Sequence, residues 1–346
     1  MTRLPKTLGG IELRSFAMSC FTIFAILTSH ASAVVILNSD GTANNGQTSA
    51  AGTTAPYDNV GVRGSSGATV VYLGNDWAIT ANHVTIIPGN PSYDYVQVFQ
   101  PSMNSYEDVT VDKTQQVYNS NGSPTDLKLV HLTSDPGLPS LQIAGSIPSN
   151  GQAVTTIGAG MDLGTQQSYT FDSLNYTGFN LTGWEDVPRW GTNDITPWSI
   201  THGLSDIGLQ NSNNQEEYEY TFATTFSNSP TASNQEAQVT NGDSGGGVFE
   251  QIGSTWYLVG LVDGLSTVPL GSGPSDYGYN VFQAGSGYSG EQSIMVDLAP
   301  YESIIAAVVP EPSGLILGGL GAGIALLAIL RARRQAAGAA AGFGKQ

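Results

Sequence analysis

Apolar residues in the middle of this chain come in short runs separated by glycine, asparagine, serine and threonine. Val70-Val71-Tyr72-Leu73, Tyr95 to Phe99, Tyr218 to Phe226 and Trp256 to Val262 are rich in β-branched and aromatic residues, the types that fit a pleated, half-buried surface. In Asp126-Leu127-Lys128-Leu129-Val130-His131-Leu132, positions 127, 129 and 131 alternate with 128, 130 and 132, which predicts a strand with a carboxylate at its start. Val70 to Leu73 followed by Trp77-Ala78-Ile79-Thr80-Ala81-Asn82-His83 predicts a strand, a turn and a second strand that ends in a histidine. No helical periodicity of useful length precedes the C-terminal tail, and no internal repeat is visible. The pattern predicts an all-β molecule.

The two long apolar runs lie at the ends. Arg3, Lys6 and Arg14 precede Phe16 to Leu27, and Ala31-Ser32-Ala33 follows with small residues, the three-part pattern of a secretory leader cut after Ala33. Ser313 to Leu330 is free of charge and is followed by Arg331, Arg333 and Arg334, which predicts a short membrane span over 313–330 with its basic end in the cytoplasm. Val309-Pro310-Glu311-Pro312 stands directly before it. This ordered trio resembles the PEP-CTERM sorting tail of Gram-negative bacteria, with Gln335 to Gln346 as an added departure. The resemblance implies an exosortase-type sorting enzyme as a partner and a protein held at, or released from, the outer cell surface. A simple single-pass anchor is the alternative.

Composition narrows the function. Between leader and span there are four basic residues, Arg63, Lys113, Lys128 and Arg189, against 27 acidic ones, which argues against nucleic acid as a partner. Glu216, Glu217 and Glu219 could gather calcium, but such a charge run reads first as a solvated acidic loop. The single cysteine, Cys20, falls in the leader, so disulfides, zinc–thiolate sites and cysteine catalysis drop out. No metal or other cofactor is implied.

Serine chemistry remains. A serine hydroxyl needs a neighbouring imidazole to take its proton and a buried carboxylate to orient that imidazole. Ser244 lies in Asn241-Gly242-Asp243-Ser244-Gly245-Gly246-Gly247, whose glycines permit a tight turn that exposes a hydroxyl and aims amides at a developing oxyanion. The donors would be Gly242 and Ser244. Once the leader histidine, His30, is set aside, His83, His131 and His202 are the possible bases.

Five stretches between Gly61 and Ile305 together resemble the trypsin-like (chymotrypsin-fold) serine endopeptidases. Trp77 to Val84 is similar to that family's Trp-Val-Leu-Thr-Ala-Ala-His-Cys, Thr125 to Leu129 to its Asp-Ile-Ala-Leu-Leu, and Asn241 to Gly247 to its Gly-Asp-Ser-Gly-Gly-Pro. Trp256 to Val262 resembles the strand lining the specificity pocket, and Val296 to Ile305 the closing strand and terminal helix. The resemblance implies two Greek-key β-barrels with a short C-terminal helix, the first over 34–146 and the second over 147–308, between a leader at 1–33 and a tail at 309–346. It implies a His83–Asp126–Ser244 triad that cleaves peptides through an acyl-enzyme. Asp243 would pair with a new amino terminus or satisfy turn amides. Gln238 would floor the specificity pocket, and a neutral group there implies no preference for Lys or Arg. Asp263 would border that pocket where the family has a serine supporting the catalytic carboxylate, so that two carboxylates would crowd one histidine. Two other classes stay open: a surface or matrix protein with the fold but no turnover, and an esterase with the same triad.

Overall fold

The computed structural model describes residues 34–36, 55–63, 68–171, 174–184, 187–196, 205–211, 213–227, 236–266, 280–282 and 291–309. The expected leader at 1–33 and span at 313–330, with His202, lie outside the described residues. Among the described residues no helix is long and apolar enough to cross a membrane.

Strand β1 (Val35–Ile36) is followed by β2 (Val60–Arg63), β3 (Ala68–Gly74), β4 (Trp77–Ala81), β5 (Tyr95–Gln100), β6 (Ser105–Tyr118) and β7 (Pro124–Leu132). Strands β2 to β7 close a barrel in the order β2-β3-β4-β7-β6-β5, all antiparallel, with Val62 paired to Gln97 at the closure. Alternation builds it: Val70, Tyr72, Val96, Val98, Val109, Val111, Val130 and Leu132 form the core of the barrel. The opposite faces of β3, β4 and β7, carrying Val71, Leu73, Trp77, Ile79, Leu127 and Leu129, join a second cluster with Ile157, Phe249, Leu258, Leu261 and Val296. Burial on both faces is why β3 and β4 read as nearly continuous apolar sequence. Asn75 and Asp76, at φ 50° and 64°, make the tight β3–β4 hairpin, a turn that needs two residues in the left-handed region.

The rest of the chain supplies β8 (Gln142–Ile143), β9 (Ala153–Gly158), β10 (Met161–Phe171), β11 (Leu174–Trp184), β12 (Arg189–Asp194), β13 (Ser205–Gln210), β14 (Glu216–Glu219), β15 (Thr221–Thr225), β16 (Ala237–Gln238), β17 (Gly247–Ile252), β18 (Thr255–Ser266), β19 (Asn280–Phe282) and β20 (Gln292–Asp297). A sheet runs β12-β9-β17-β18-β20-β15, with β8 beside β18. Its two edges meet where Ile195, just past β12, bridges Thr224 of β15, so the sheet curls around Val154, Ile195, Phe222, Val248, Val259, Val262 and Met295. The short helix α1 (Glu302–Ala306) follows, and Tyr301, Ile305 and Val309 bury against the cluster shared by both sheets.

Two segments grouped by sequence with the first barrel pair with the later strands: Val35 with Gln238, and Gln142–Ile143 with Tyr257–Leu258. The polar stretch 184–214 holds the core strand β12, whose Trp190 is buried in the shared cluster. A long excursion comes earlier, as the β10–β11 hairpin.

Candidate active site

Asp126 occupies the third position of β7 and is fully buried. Pairing of Ala81 with Leu127 brings the end of β4 beside it, and Asn82 N–H donates to the Asp126 carbonyl (2.9 Å). The next residue is therefore delivered onto the carboxylate. His83 N–H lies 2.6 Å from Asp126 Oδ1, and His83 Nδ1 lies 2.6 Å from Oδ2. About a third of the His83 side chain remains exposed (33%), so one edge is held and the other faces outward. This contact orients the ring and fixes which nitrogen carries the proton. Burial pulls the imidazole down, but the hydrogen bond and charge of Asp126, with Asp263 and Glu217 adding, outweigh it and hold the ring above its ordinary value.

The turn carrying Ser244 packs on the same hairpin. Thr69 N–H donates to the Ser244 carbonyl (3.0 Å), and Thr69 Oγ1 donates to the Gly242 carbonyl (3.1 Å). Gly245 has φ 81°, and a Cβ there would collide with Thr80 Oγ1 and the Thr69 carbonyl, so glycine is what lets the turn reach β3 and β4. Gly245 N–H donates to the Val262 carbonyl and Val262 N–H to the Gly246 carbonyl, both 2.8 Å, which ties the turn to β18 one residue before Asp263. Among the described residues no hydrogen bond uses the N–H of Gly242 or Ser244. Among the described residues both hydrogen bonds of His83 go to Asp126, and none joins its ring to the half-buried Ser244.

Asp243 is fully buried beneath the turn. It accepts from Gly160 N–H (2.8 Å), Thr240 N–H (2.7 Å), Thr240 Oγ1 (3.1 Å) and the backbone N–H of Val34. Burial pushes its carboxyl up to about 7, against the pull of these donors. It satisfies turn amides, as one expectation had it, and Val34 is a donor that sequence reasoning missed.

Carboxyl groups surround the His83–Asp126 pair. One ring nitrogen of His83 and one carboxylate oxygen from each of Asp126 and Asp263 lie within 4.8 Å of one another, with both Asp126 oxygens already taken by His83. Asp263, expected beside both the catalytic carboxylate and the specificity pocket, stands at the carboxylate. Burial and the Asp126 charge push Asp263 up to about 7, opposed by His83. Glu216 to Glu219, read as a solvated loop, form strand β14 instead. β14 lies against β7, with Glu217 and Glu219 fully buried and Glu216 exposed. Glu219 Oε1 accepts from Asp126 N–H (2.5 Å), and Glu217 Oε1 accepts from Asn82 Nδ2 and Gln116 Nε2, both 2.8 Å. Burial raises both glutamates, with Asp263 and Asp126 adding to Glu219. The signal that could have revealed them is period two: 217 and 219 share one strand face while 216 and 218 take the other. Lys128 Nζ clamps the histidine loop by donating to the Asn82 and Val84 carbonyls (2.7 Å each), and burial lowers its amine to about 8.

No protein-family model matches the chain, and no curated protein matches it. Among solved structures the chain is similar to neuropsin, a serine protease expressed in the limbic system of mouse brain, with a TM-score of 0.44 and 15% identity over 74% of this chain and 95% of that one. It is also similar to the Rv3671c protease in its inactive form, with a TM-score of 0.39 and 13% identity over 74% and 91% of the two chains. At such scores the chemistry has to be read from the side chains themselves.

Of the other expected site residues, Gln238 is fully buried beside β1, and neither its Oε1 nor its Nε2 has a partner among the described residues. His131, the other described histidine, sits across the barrel wall with Nδ1 on Asp112 Oδ1 (2.6 Å) and its ring edge-on to Trp77.

Proposed function

We propose that this protein is an exported serine endopeptidase that works through His83, Asp126 and Ser244. The observation that carries the reading is the buried Asp126 carboxylate gripping both the backbone and Nδ1 of a histidine whose far edge is open, beside a glycine-rich turn presenting a serine. His83 Nε2 takes the Ser244 proton as Oγ attacks the peptide carbonyl. The free amides of Gly242 and Ser244 receive the oxyanion. Collapse breaks the C–N bond, and the departing amine takes the proton from His83. Water then attacks the acyl ester, its proton passing to His83 and from there to Ser244. The unpartnered amide of Gln238 suits a neutral side chain at the cleaved bond, because a buried cation would lack a counter-charge. Casein hydrolysis should fall by at least about 10³-fold in Ser244→Ala. Ester hydrolysis without casein hydrolysis would point to an esterase, and activity surviving the substitution would remove the nucleophile.

Processing belongs to the same proposal. Removal of 1–33 would leave Val34 as the first residue, fully buried with its nitrogen on Asp243. Val34 has φ 50°, a conformation that costs a β-branched residue when a carbonyl precedes it and costs nothing at a free terminus. A new ammonium there would give buried Asp243 its counter-charge. At the other end Val309 is packed into the core directly before Pro310-Glu311-Pro312, a position suited to a sorting tail handled by an exosortase-type enzyme at the membrane.

A further inference from the structure

The site holds more acid than a histidine, one carboxylate and a serine require. Asp126 on β7, Asp263 on β18, and Glu217 and Glu219 on β14 all bear on His83 or on one another. Lys128 also bears on Asp126 and Glu217, but its amine is committed to two backbone carbonyls. Carboxylate oxygens of Asp263 and Asp126 lie within 4.8 Å of each other. Two ionised carboxylates this close in a buried site repel each other, which favours a proton on one of them. Both oxygens of Asp126 already accept hydrogens from His83, while Oδ1 of Asp263 is buried without a partner. The proton therefore belongs to Asp263.

We propose that Asp263 is a positioning residue for the general base: it carries a proton that it donates to Asp126, so that His83 works beside one negative charge while the proton is present and beside two after it has left. This rests on His83 being the base, but the relation between the two groups can be measured without turnover. With Asp263 neutral, the hydrogen bond holds Asp126 square to Nδ1. When the proton goes to solvent, a second anion within contact range strengthens the hold on the imidazolium, and His83 gives up its own proton only at higher pH. Asp263 and His83 then titrate as a pair whose two steps belong to neither group alone. Burial and the Asp126 charge set the exchange near neutrality. Glu217 and Glu219, raised by burial, add to the same upward pressure.

The test is the titration of His83, followed by ¹H–¹⁵N NMR of the imidazole in the exported protein carrying Ser244→Ala to prevent self-cleavage. With Asp263 present, His83 should titrate in two steps. In Asp263→Asn it should titrate in one step, displaced to lower pH by about half a unit or more. Asp263→Ser, which keeps a donor and loses the acid, should move it the same way and covers the case in which the asparagine form does not fold. In the active enzyme the acid limb of kcat/KM should shift by the same amount, a change that loss of packing alone would not produce. Superimposable single-step titrations with and without Asp263 would overturn the proposal. A protein that shows the two-step titration and cleaves nothing would instead retire the peptidase reading and leave the shared proton standing.

Discussion

Gly245 makes the most stringent demand on a single residue in this site. Its φ of 81° and its approach to Thr80 and the Thr69 carbonyl leave no room for a methyl group. Gly245→Ala should therefore cost about 2 kcal/mol or more in stability and displace Ser244 from the histidine loop. Chemical denaturation paired with activity per folded molecule measures both effects, and an alanine form with full stability and turnover would mean that the turn is placed differently. The glycine run and Thr80-Ala81-Asn82-His83 were readable in the sequence because each states a local requirement, a turn free of side chains and a strand end bearing a base. Glu217 and Glu219 were hidden because a charge run looks solvated until the neighbour of its strand is known. That neighbour, β7, is remote in the chain.

At the scale of elements, β1 matters more than its two residues suggest. Val35–Ile36 pairs with Ala237–Gln238, while Val34 reaches Asp243 beneath the Ser244 turn. Sequence reading touched both ends of this contact, as an expected leader cut after Ala33 and as an acid next to the serine. It could not join them, because nothing local in either segment names the other. Chains released with Val34 first should be fully active, and those retaining Ala33 should lose about 10²-fold in kcat/KM, the equivalent of roughly 3 kcal/mol for a missing buried counter-charge. N-terminal sequencing combined with kinetics of the two forms checks this, and equal activity would contradict it. The strand runs themselves were legible in β3, β4, β5, β7 and β18, where alternation or β-branched content is strong. The β10–β11 hairpin was not, since its polar sequence resembles loop.

For the whole molecule, buried acids set the response to pH. Asp263 is pushed up to about 7 and Asp297 to about 6, each chiefly by burial. A carboxyl raised in the folded state contributes stability that is full below the unfolded value of roughly 4 and is lost as pH rises through the folded value. The high net negative charge acts in the same direction. The melting temperature of the processed protein should therefore fall between about pH 5 and pH 8. A scan that rises across that window would show the acids to be ionised and paired. Activity should move oppositely at first, because His83 is held above its ordinary value and must lose its proton to act.

The most direct test of the central claim is labelling of the processed protein with a fluorophosphonate, followed by peptide mapping. A single adduct on Ser244, lost when His83 is replaced by alanine, is the result expected of a serine activated by that histidine. An adduct elsewhere, none at all, or labelling of Ser244 that persists without His83 would contradict it.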